Sequence, residues 1–429
     1  MEIILIELQS DLFIIPTSDD RSIVYSPLRG IAFTANSRAT NIIREYVNSG
    51  EIPKENQYNQ VYEHLEKISQ LCVDPPKIDT LHNRATNAVF ILSQLCNLDC
   101  SYCYAKDYRS SGVLSFEKIT AVVDYVFSET QNKIKTFSFI GGGEPLFTWE
   151  LFNQAVIYIR EKSEKMGIEN NIGVATNGTL LNEERIKFLK DNNISVSISF
   201  DILPEIQDVQ RPYPGGINSS FKVVDKNIKL LIAHGIIPRI RTTITKTSVN
   251  KMAEMVSFVA ENYPEIKSVQ LEPVTDIEDN DDDFFNSYTE NFFKAKNISK
   301  KHGLFIKNSI THSFNRLRTR FCNGEFCITP ESKIVACHRI SSSLADHFDK
   351  LVYGQINDDN QIIIDELSEK GVLEYFERKR FECSTCFARW HCAGGCPMFK
   401  LTTSKKPQDA YCKFVQNTVK ILLEEKLSE

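Results

Sequence analysis

Eleven of the twelve cysteines fall into three groups. Cys96, Cys100 and Cys103 have C-x3-C-x2-C spacing. Cys322, Cys327 and Cys337 form a looser set, and Cys383, Cys386, Cys392, Cys396 and Cys412 a dense one. Clustered thiols in a chain of this length read as metal ligands rather than a disulfide framework. Soft thiolates select iron–sulfur clusters or zinc. A structural zinc takes four ligands, and none lies close in sequence to the first triplet. A 4Fe–4S cubane held by three thiolates leaves one iron open to a small molecule. The C-x2-C of Cys383 and Cys386, taken alone, fits a zinc knuckle as well. Cys72 stands apart and reads as a small apolar residue at a helix end.

The elements around the first triplet place it. It follows an apolar run at 88–95 that predicts a buried strand. Further strands are predicted at 136–140, 172–176, 194–200, 237–244 and 267–273. Helices are predicted between them at 115–131, 148–165, 182–192, 220–234 and 249–262, with one more after Asp283. Ser115, Thr148, Asn182 and Ser248 are the expected N-caps. Six βα units in series predict an α/β fold with a parallel sheet, whose ligands bind at the carboxyl ends of the strands.

Other polar motifs fall at the same strand ends. Gly141-Gly142-Gly143-Glu144-Pro145 follows the second strand. Its glycines allow close backbone approach, and Glu144 can accept from an ammonium group. Thr176-Asn177-Gly178 follows the third strand. Ser199-Phe200-Asp201 follows the fourth, with Asp208 and Arg211 beyond. Arg211 suits a carboxylate.

These motifs together resemble the radical S-adenosylmethionine (SAM) superfamily: the Cys96–Cys103 loop with the aromatic Tyr102, then a GGEP motif one strand later. The resemblance implies a partial (β/α)6 TIM-type barrel over 88–310. It implies a SAM-binding 4Fe–4S cluster on Cys96, Cys100 and Cys103. SAM contacts would come from Tyr102, Gly142, Gly143, Glu144, Pro145, Asn177, Ser199 and Arg211. Where that family usually has Asp-Gly, this chain has Asp201-Ile202. Cys383-x2-Cys386-x5-Cys392-x3-Cys396-x15-Cys412 resembles the SPASM extension of peptide-modifying members, which implies a C-terminal cysteine-rich domain over 311–429 with two auxiliary 4Fe–4S clusters. By that pattern Cys383, Cys386, Cys392 and Cys412 hold one. Cys322, Cys337 and Cys396 hold the other, with Cys327 either its fourth ligand or a packed strand residue. Ser332 stands where the pattern has glycine.

Residues 1–80 read as a separate α+β unit. Strands are predicted at 11–16, 22–26 and 30–34, and helices at 39–47 and 62–71, ahead of a stiff Pro75-Pro76 linker. This arrangement resembles the winged-helix-like peptide-recognition unit of enzymes that modify ribosomally made peptides; a plain structural cap is the other reading. The whole then implies a peptide maturase that installs a thioether or carbon–carbon crosslink. Its partners would be a precursor peptide, whose leader the N-terminal unit binds, and a flavodoxin- or ferredoxin-type reductant. A sulfatase-maturating enzyme that forms formylglycine shares the SPASM pattern, but places an acid where this chain has His338. A non-catalytic iron–sulfur electron carrier is the third reading, and the intact SAM motifs oppose it.

Composition bounds these readings. Apolar residues make up 42% and charged residues 25%, which fits a globular protein. A net charge of −6 argues against nucleic-acid or anionic-membrane binding. The N-terminal apolar run is short and follows an acid, so a cytoplasmic location with no signal peptide is expected. The acidic stretch Asp276, Glu278, Asp279, Asp281, Asp282 and Asp283 reads as a solvated loop or a contact for a basic peptide segment. Arg316, Arg318 and Arg320 alternate as on a solvated strand face.

Overall fold

Period-2 alternation builds the centre of the fold. In the strand Ile194–Ser199 the residues Ile194, Val196 and Ile198 are buried, while the serines between them are not. In Ile134–Phe139, Phe137 and Phe139 are buried and Ser138 is only partly so. The apolar faces pack under helices. The small polar faces line an interior space.

The computed structural model describes residues 11–17, 19–50, 59–71, 86–128, 134–274, 281–398 and 405–429. Cys72, Pro75, Pro76, Asp276, Glu278 and Asp279 lie outside them. Three strands come first: β1 (Phe13–Pro16), β2 (Arg21–Ser26) and β3 (Ile31–Asn36) form an antiparallel sheet in that order. The core strands are β4 (Asn87–Phe90), β5 (Ile134–Phe139), β6 (Glu169–Thr176), β7 (Ile194–Ser199), β8 (Arg239–Ile244), β9 (Ser268–Pro273) and β10 (Phe305–Lys307). Four more follow: β11 (Cys327–Ile328), β12 (Lys333–Val335), β13 (Val352–Ile356) and β14 (Ile362–Ile364).

Strands β4 to β14 form one 11-stranded sheet in the order β10-β9-β8-β7-β6-β5-β4-β11-β12-β13-β14. Every pair from β10 to β11 is parallel, and the last three pairs are antiparallel. This is an α/β fold whose mostly parallel sheet is consistent with a partial barrel. Six core strands were expected. The short β10 adds a seventh, because the helix Asp282–Lys301 ends at a turn through Gly303 and returns the chain beside β9. β4 is shorter than the apolar run predicts: the Ile91 amide still donates to Ile328 O, but Leu92, Ser93 and Gln94 leave the parallel ladder and stay buried. The expected boundary near 310 does not interrupt the sheet: Cys327 and Ile328 pair with Val89 and Phe90.

Among the expected caps, the Asn182 side chain accepts from the Arg185 amide and Ser115 from the Lys118 amide. Thr148 and Ser248 make no cap bond. Arg316, Arg318 and Arg320 are not on a strand. Arg318 lies over the Phe321 ring and donates to the His391 carbonyl and to Ser313, and Arg320 is buried. That region is a packed loop, which corrects the solvated strand face.

The N-terminal sheet is two-faced. Leu12, Val24 and Ala35 pack against Ile42, Ile43 and Tyr46 of the helix Ser37–Ser49, and against Tyr62, Leu65 and Ile68 of the helix Asn59–Ser69. Ile15, Ile23 and Tyr25 face the other way and join the main core. There Tyr25 shares a 2.7 Å hydrogen bond with His391 Nε2, and His391 also stacks on Phe314. Burial lowers the His391 pKa to about 4, so the ring is neutral.

Tyr25→Phe should therefore destabilise the chain by roughly 1–3 kcal/mol, since it leaves a buried imidazole nitrogen without its partner. A denaturant titration of both proteins measures this, and coincident midpoints would show that the bond contributes nothing to docking.

Candidate active site

The cysteine loop leaves β4 and lies against the loop after β5. The Gly143 amide donates to Ser93 O at 3.0 Å and the Glu144 amide to Leu95 O at 2.8 Å. A Cβ on Gly143 would sit 2.0 Å from Leu95 O, so only glycine allows this approach. Gly142 has φ +65°, and a Cβ there would meet Ile91 Cγ2 at 2.5 Å and Ser93 O at 2.9 Å. Gly141 has φ +90°, and a Cβ there would meet His338 O at 2.8 Å.

Glu144 is fully buried. Its carboxylate accepts from Thr176 Oγ1 at 2.6 Å, the Asn177 amide at 2.7 Å and the Leu146 amide at 3.1 Å. Burial raises its pKa, and these donors oppose the rise. A carboxylate has about four acceptor sites, so one stays open to an ammonium group. Pro145 starts the short 3-10 turn behind Glu144. Asn177 reaches back to the cysteine loop, with Nδ2 2.9 Å from Asn97 Oδ1 and 4.0 Å from Cys96 Sγ.

Asp201 has a role the sequence did not show. It accepts from the Tyr102 hydroxyl at 2.7 Å, Gln210 Nε2 at 2.8 Å, Arg211 Nε at 3.0 Å and the Thr243 amide at 3.1 Å. It is fully buried and ties the cysteine loop to the ends of β7 and β8. Arg211 is thus anchored at Nε while still facing the cavity, with its guanidinium 5.2 Å from the Tyr102 ring centroid. Asp208 accepts from the Phe221 amide and Ser220 and supports the next helix. The only sequence sign of the hub was Asp201 standing one residue after a strand end.

Cys96, Cys100, Cys103, Tyr102, Gly142, Gly143, Glu144, Asn177, Ser199 and Arg211 all line one cavity of about 560 Å³. Burial pushes the Cys100 thiol up to about 12 and raises that of Cys96. Arg109 opposes this, with Nη2 3.7 Å from Cys103 Sγ. Thiols buried as Cys96 and Cys100 are would stay protonated without a cation, and a bound metal deprotonates such thiols outright. The residues present fit a three-thiolate iron–sulfur site with SAM beside it.

A second cavity of about 260 Å³ is lined by Cys322, Cys337 and Cys396. Cys327 lies outside it, fully buried in β11 and paired in the ladder with Val89 and Val335. Glu325 and His338 join Cys337 in a tight group, with His338 Nδ1 2.9 Å from Glu325 Oε1. The remaining thiols gather separately. The Cys392 thiol is pushed up to about 12 by burial first, then by Cys412, Cys383 and Cys386. Gly394 and Gly395, both at positive φ, make the turn to Cys396.

Residues 90–258 match the Radical SAM superfamily family. A cysteine-type anaerobic sulfatase-maturating enzyme of Clostridium novyi is 24% identical over 57% of this chain and 71% of its own length. The subtilosin biosynthesis protein AlbA of Bacillus subtilis is 30% identical over 40% of this chain, but only 36% of AlbA is covered. Among solved structures, anSMEcpe with bound AdoMet superposes with TM-score 0.65 at 20% identity, over 80% of this chain and 99% of that one. Streptococcus suis SuiB bound to precursor peptide SuiA gives TM-score 0.52 at 14% identity, over 94% of this chain and 98% of that one. At these identities the structural likeness concerns the fold. No described helix is long and apolar enough to cross a membrane.

Replacing Cys96, Cys100 and Cys103 together by Ala should lower bound iron by about four per chain and abolish 5′-deoxyadenosine formation. Persistent SAM cleavage by the triple variant would remove this loop from the chemistry. Gly143→Ala should displace the Cys96–Cys103 loop and lower iron retention, while the charge and thiol count stay unchanged. Iron content and the cluster absorption spectrum, compared with the unaltered chain, decide that point.

Proposed function

As this chain is a radical SAM superfamily enzyme by its match over 90–258, with SAM and a 4Fe–4S cluster implied, we propose that it matures a ribosomally made precursor peptide. When bound, that cofactor pair supplies a 5′-deoxyadenosyl radical for hydrogen abstraction from the peptide. The chain's own residues set the stage for it. Cys96, Cys100 and Cys103 hold the cluster. Glu144 keeps one acceptor site that would take the SAM amino group, and Arg211 and Ser199, which line the same cavity, would bind its carboxylate. Tyr102 is held in place by Asp201. Closing a thioether or carbon–carbon bond from the resulting peptide radical also releases a proton and one electron, and an auxiliary iron–sulfur cluster would accept that electron.

The observation that carries the peptide reading is the N-terminal sheet. β3 has one strand partner among the described residues, β2. An outer strand offers main-chain groups to an incoming extended peptide. β1, the other outer strand, ends in Pro16, which lacks an N–H. We assign leader binding to β3. The sheet is bolted through Tyr25 to His391, next to Cys392, so a leader on it is held beside the cysteine-rich region. AlbA is a bacteriocin biosynthesis protein by name, and the SuiB fold likeness extends over 94% of this chain.

In the same proposal Cys322, Cys337 and Cys396 hold a nearer auxiliary 4Fe–4S cluster. Cys383, Cys386, Cys392 and Cys412 hold a distal one. Cys327 is assigned to packing. A flavodoxin- or ferredoxin-type protein supplies electrons, and the enzyme works in the cytoplasm.

Hydrogen–deuterium exchange on the intact chain tests leader binding. A precursor peptide encoded beside this gene should slow amide exchange along 31–36, and mass spectrometry should then find a crosslinked product. Formylglycine in a sulfatase peptide, with no change at β3, would transfer the chain to the sulfatase-maturating class.

A further inference from the structure

The two cavities share a wall. Arg241, Glu272, Pro273, Glu325, His338 and Arg339 line both. Arg241 lies on β8, and Arg239, two residues before it on the same face, lines the larger cavity. Ile240 between them is buried on the opposite face.

Arginines that serve structure in this chain are pinned. Arg211 holds Asp201, Arg185 donates to the Leu146 and Leu180 carbonyls, and Arg160 donates to Asn170. Arg239 and Arg241 differ. Neither side chain has a hydrogen bond or ion pair among the described residues, and both are exposed to the cavity. The acids of the shared wall are engaged instead. Glu272 Oε1 accepts from Gln270 at 2.6 Å and from Ser309 at 2.7 Å, and Glu325 accepts from the His338 ring and amide. The next two strands of the sheet, β7 and β6, contribute Ser195, Ser197, Gly173 and Ala175 to the cavity wall, and these small residues keep the space open. A chain with net charge −6 therefore turns toward this cavity two guanidiniums that have no partner among the described residues and have room in front of them.

We propose that Arg241 and Arg239 form a carboxylate-binding subsite of the substrate cavity. It takes an acidic group of the peptide, either an Asp or Glu side chain or the peptide's own C-terminal carboxylate. This deepens the peptide-maturase reading and rests on it for the identity of the substrate. A guanidinium fork recognises a carboxylate bidentately, and two such forks spaced about 6.6 Å along a strand fix both position and direction. Arg241 stands where the SAM-side cavity meets the three-cysteine cavity. An acid bound there sets which neighbouring peptide carbon faces the SAM site.

Arginine-selective labelling with phenylglyoxal, mapped by mass spectrometry on the full-length reconstituted chain, tests this. N-acetylglutamate α-amide probes a side-chain carboxylate and N-acetylglycine a terminal one. N-acetylglutamine amide is the neutral control. At saturation, at least one carboxylate probe should slow labelling of Arg241 and Arg239 roughly tenfold, and the neutral amide should not. The stronger of the two probes identifies the source of the carboxylate. Protection of Arg241 by SAM alone would assign the residue to the cofactor's carboxylate and overturn the proposal. Equal labelling with all probes would overturn it too. Arg241→Gln should abolish the protection of Arg239, and since the main readout uses the unaltered chain, misfolding of this variant leaves that readout intact. If the probes protect but no precursor peptide is modified, the subsite stands and the peptide reading falls. If an amidated precursor stripped of acidic residues is matured as fast as its acidic form, the subsite falls and the peptide reading stands.

Discussion

The close approach of two backbones is the constraint on which the site depends. Gly143 lies so near Leu95 that a single methyl group would sit 2.0 Å from its carbonyl oxygen. Two amide bonds, from Gly143 and Glu144, fasten that contact. Glu144 then grips Thr176 and Asn177, and Asn177 grips Asn97, which closes a circuit back to the cysteine loop. From the other side Asp201 holds Tyr102, while the Asp99 and Ser101 amides donate to the carbonyls of Pro212 and Gln210. The three thiols thus sit on a loop tied down at both ends and in the middle. Most of these bonds are buried, where an unmade bond is expensive, so the loop has few alternative conformations.

The sheet extends that order to the second group of thiols. β11 pairs with β4, the strand that delivers the first cysteines, and with β12, so Cys337, two residues past the end of β12, hangs from the same sheet. His338 packs against Gly141 of the glycine loop. The distance between the two thiol groups is consequently set by backbone pairing. A small rotation of one group would break ladder bonds or drive His338 into the loop. The N-terminal sheet is coupled less tightly, through Ile15, Ile23 and the Tyr25–His391 contact.

Much of this was legible because the signals are local. The period-2 runs predicted the strands within a few residues, and the cysteine spacing together with the glycine motif located the cavity mouth. That Cys322, Cys337 and Cys396 line one cavity was implied by the resemblance to the SPASM pattern and not by their spacing. What stayed hidden depends on long-range geometry. Asp201 is an acid after a strand until folding brings Tyr102, Gln210 and Thr243 to it. Arg318 alternates with its neighbours as on a strand, yet it packs in a loop because His391, far along the chain, offers a carbonyl. The seventh core strand is three residues long, too short for its pattern to stand out. The continuity of the sheet past residue 310 rests on the two-residue β11, which has no periodicity to read.

Charge placement explains why the interior differs from the surface. The surface pairs are mostly short-range Lys–Asp and Lys–Glu contacts such as Lys187–Asp191 and Lys294–Glu290, which water screens and which contribute little. Inside, the buried Asp201–Arg211 pair is reinforced by hydrogen bonds from Tyr102, Gln210 and Thr243, and that satisfaction lets a buried charge pair persist. Glu144 follows the same rule with three donors. Each buried acid at the strand ends is therefore compensated locally by protein groups. A carboxylate so engaged cannot swing toward the neighbouring thiols. The positive side chains in the cavity, among them Arg109 beside Cys103, Arg211 beside Tyr102, and Arg239 and Arg241 on β8, then set the local potential. A cavity of that sign suits anionic thiolates and carboxylates at the same strand ends, which is where the parallel sheet delivers its loops.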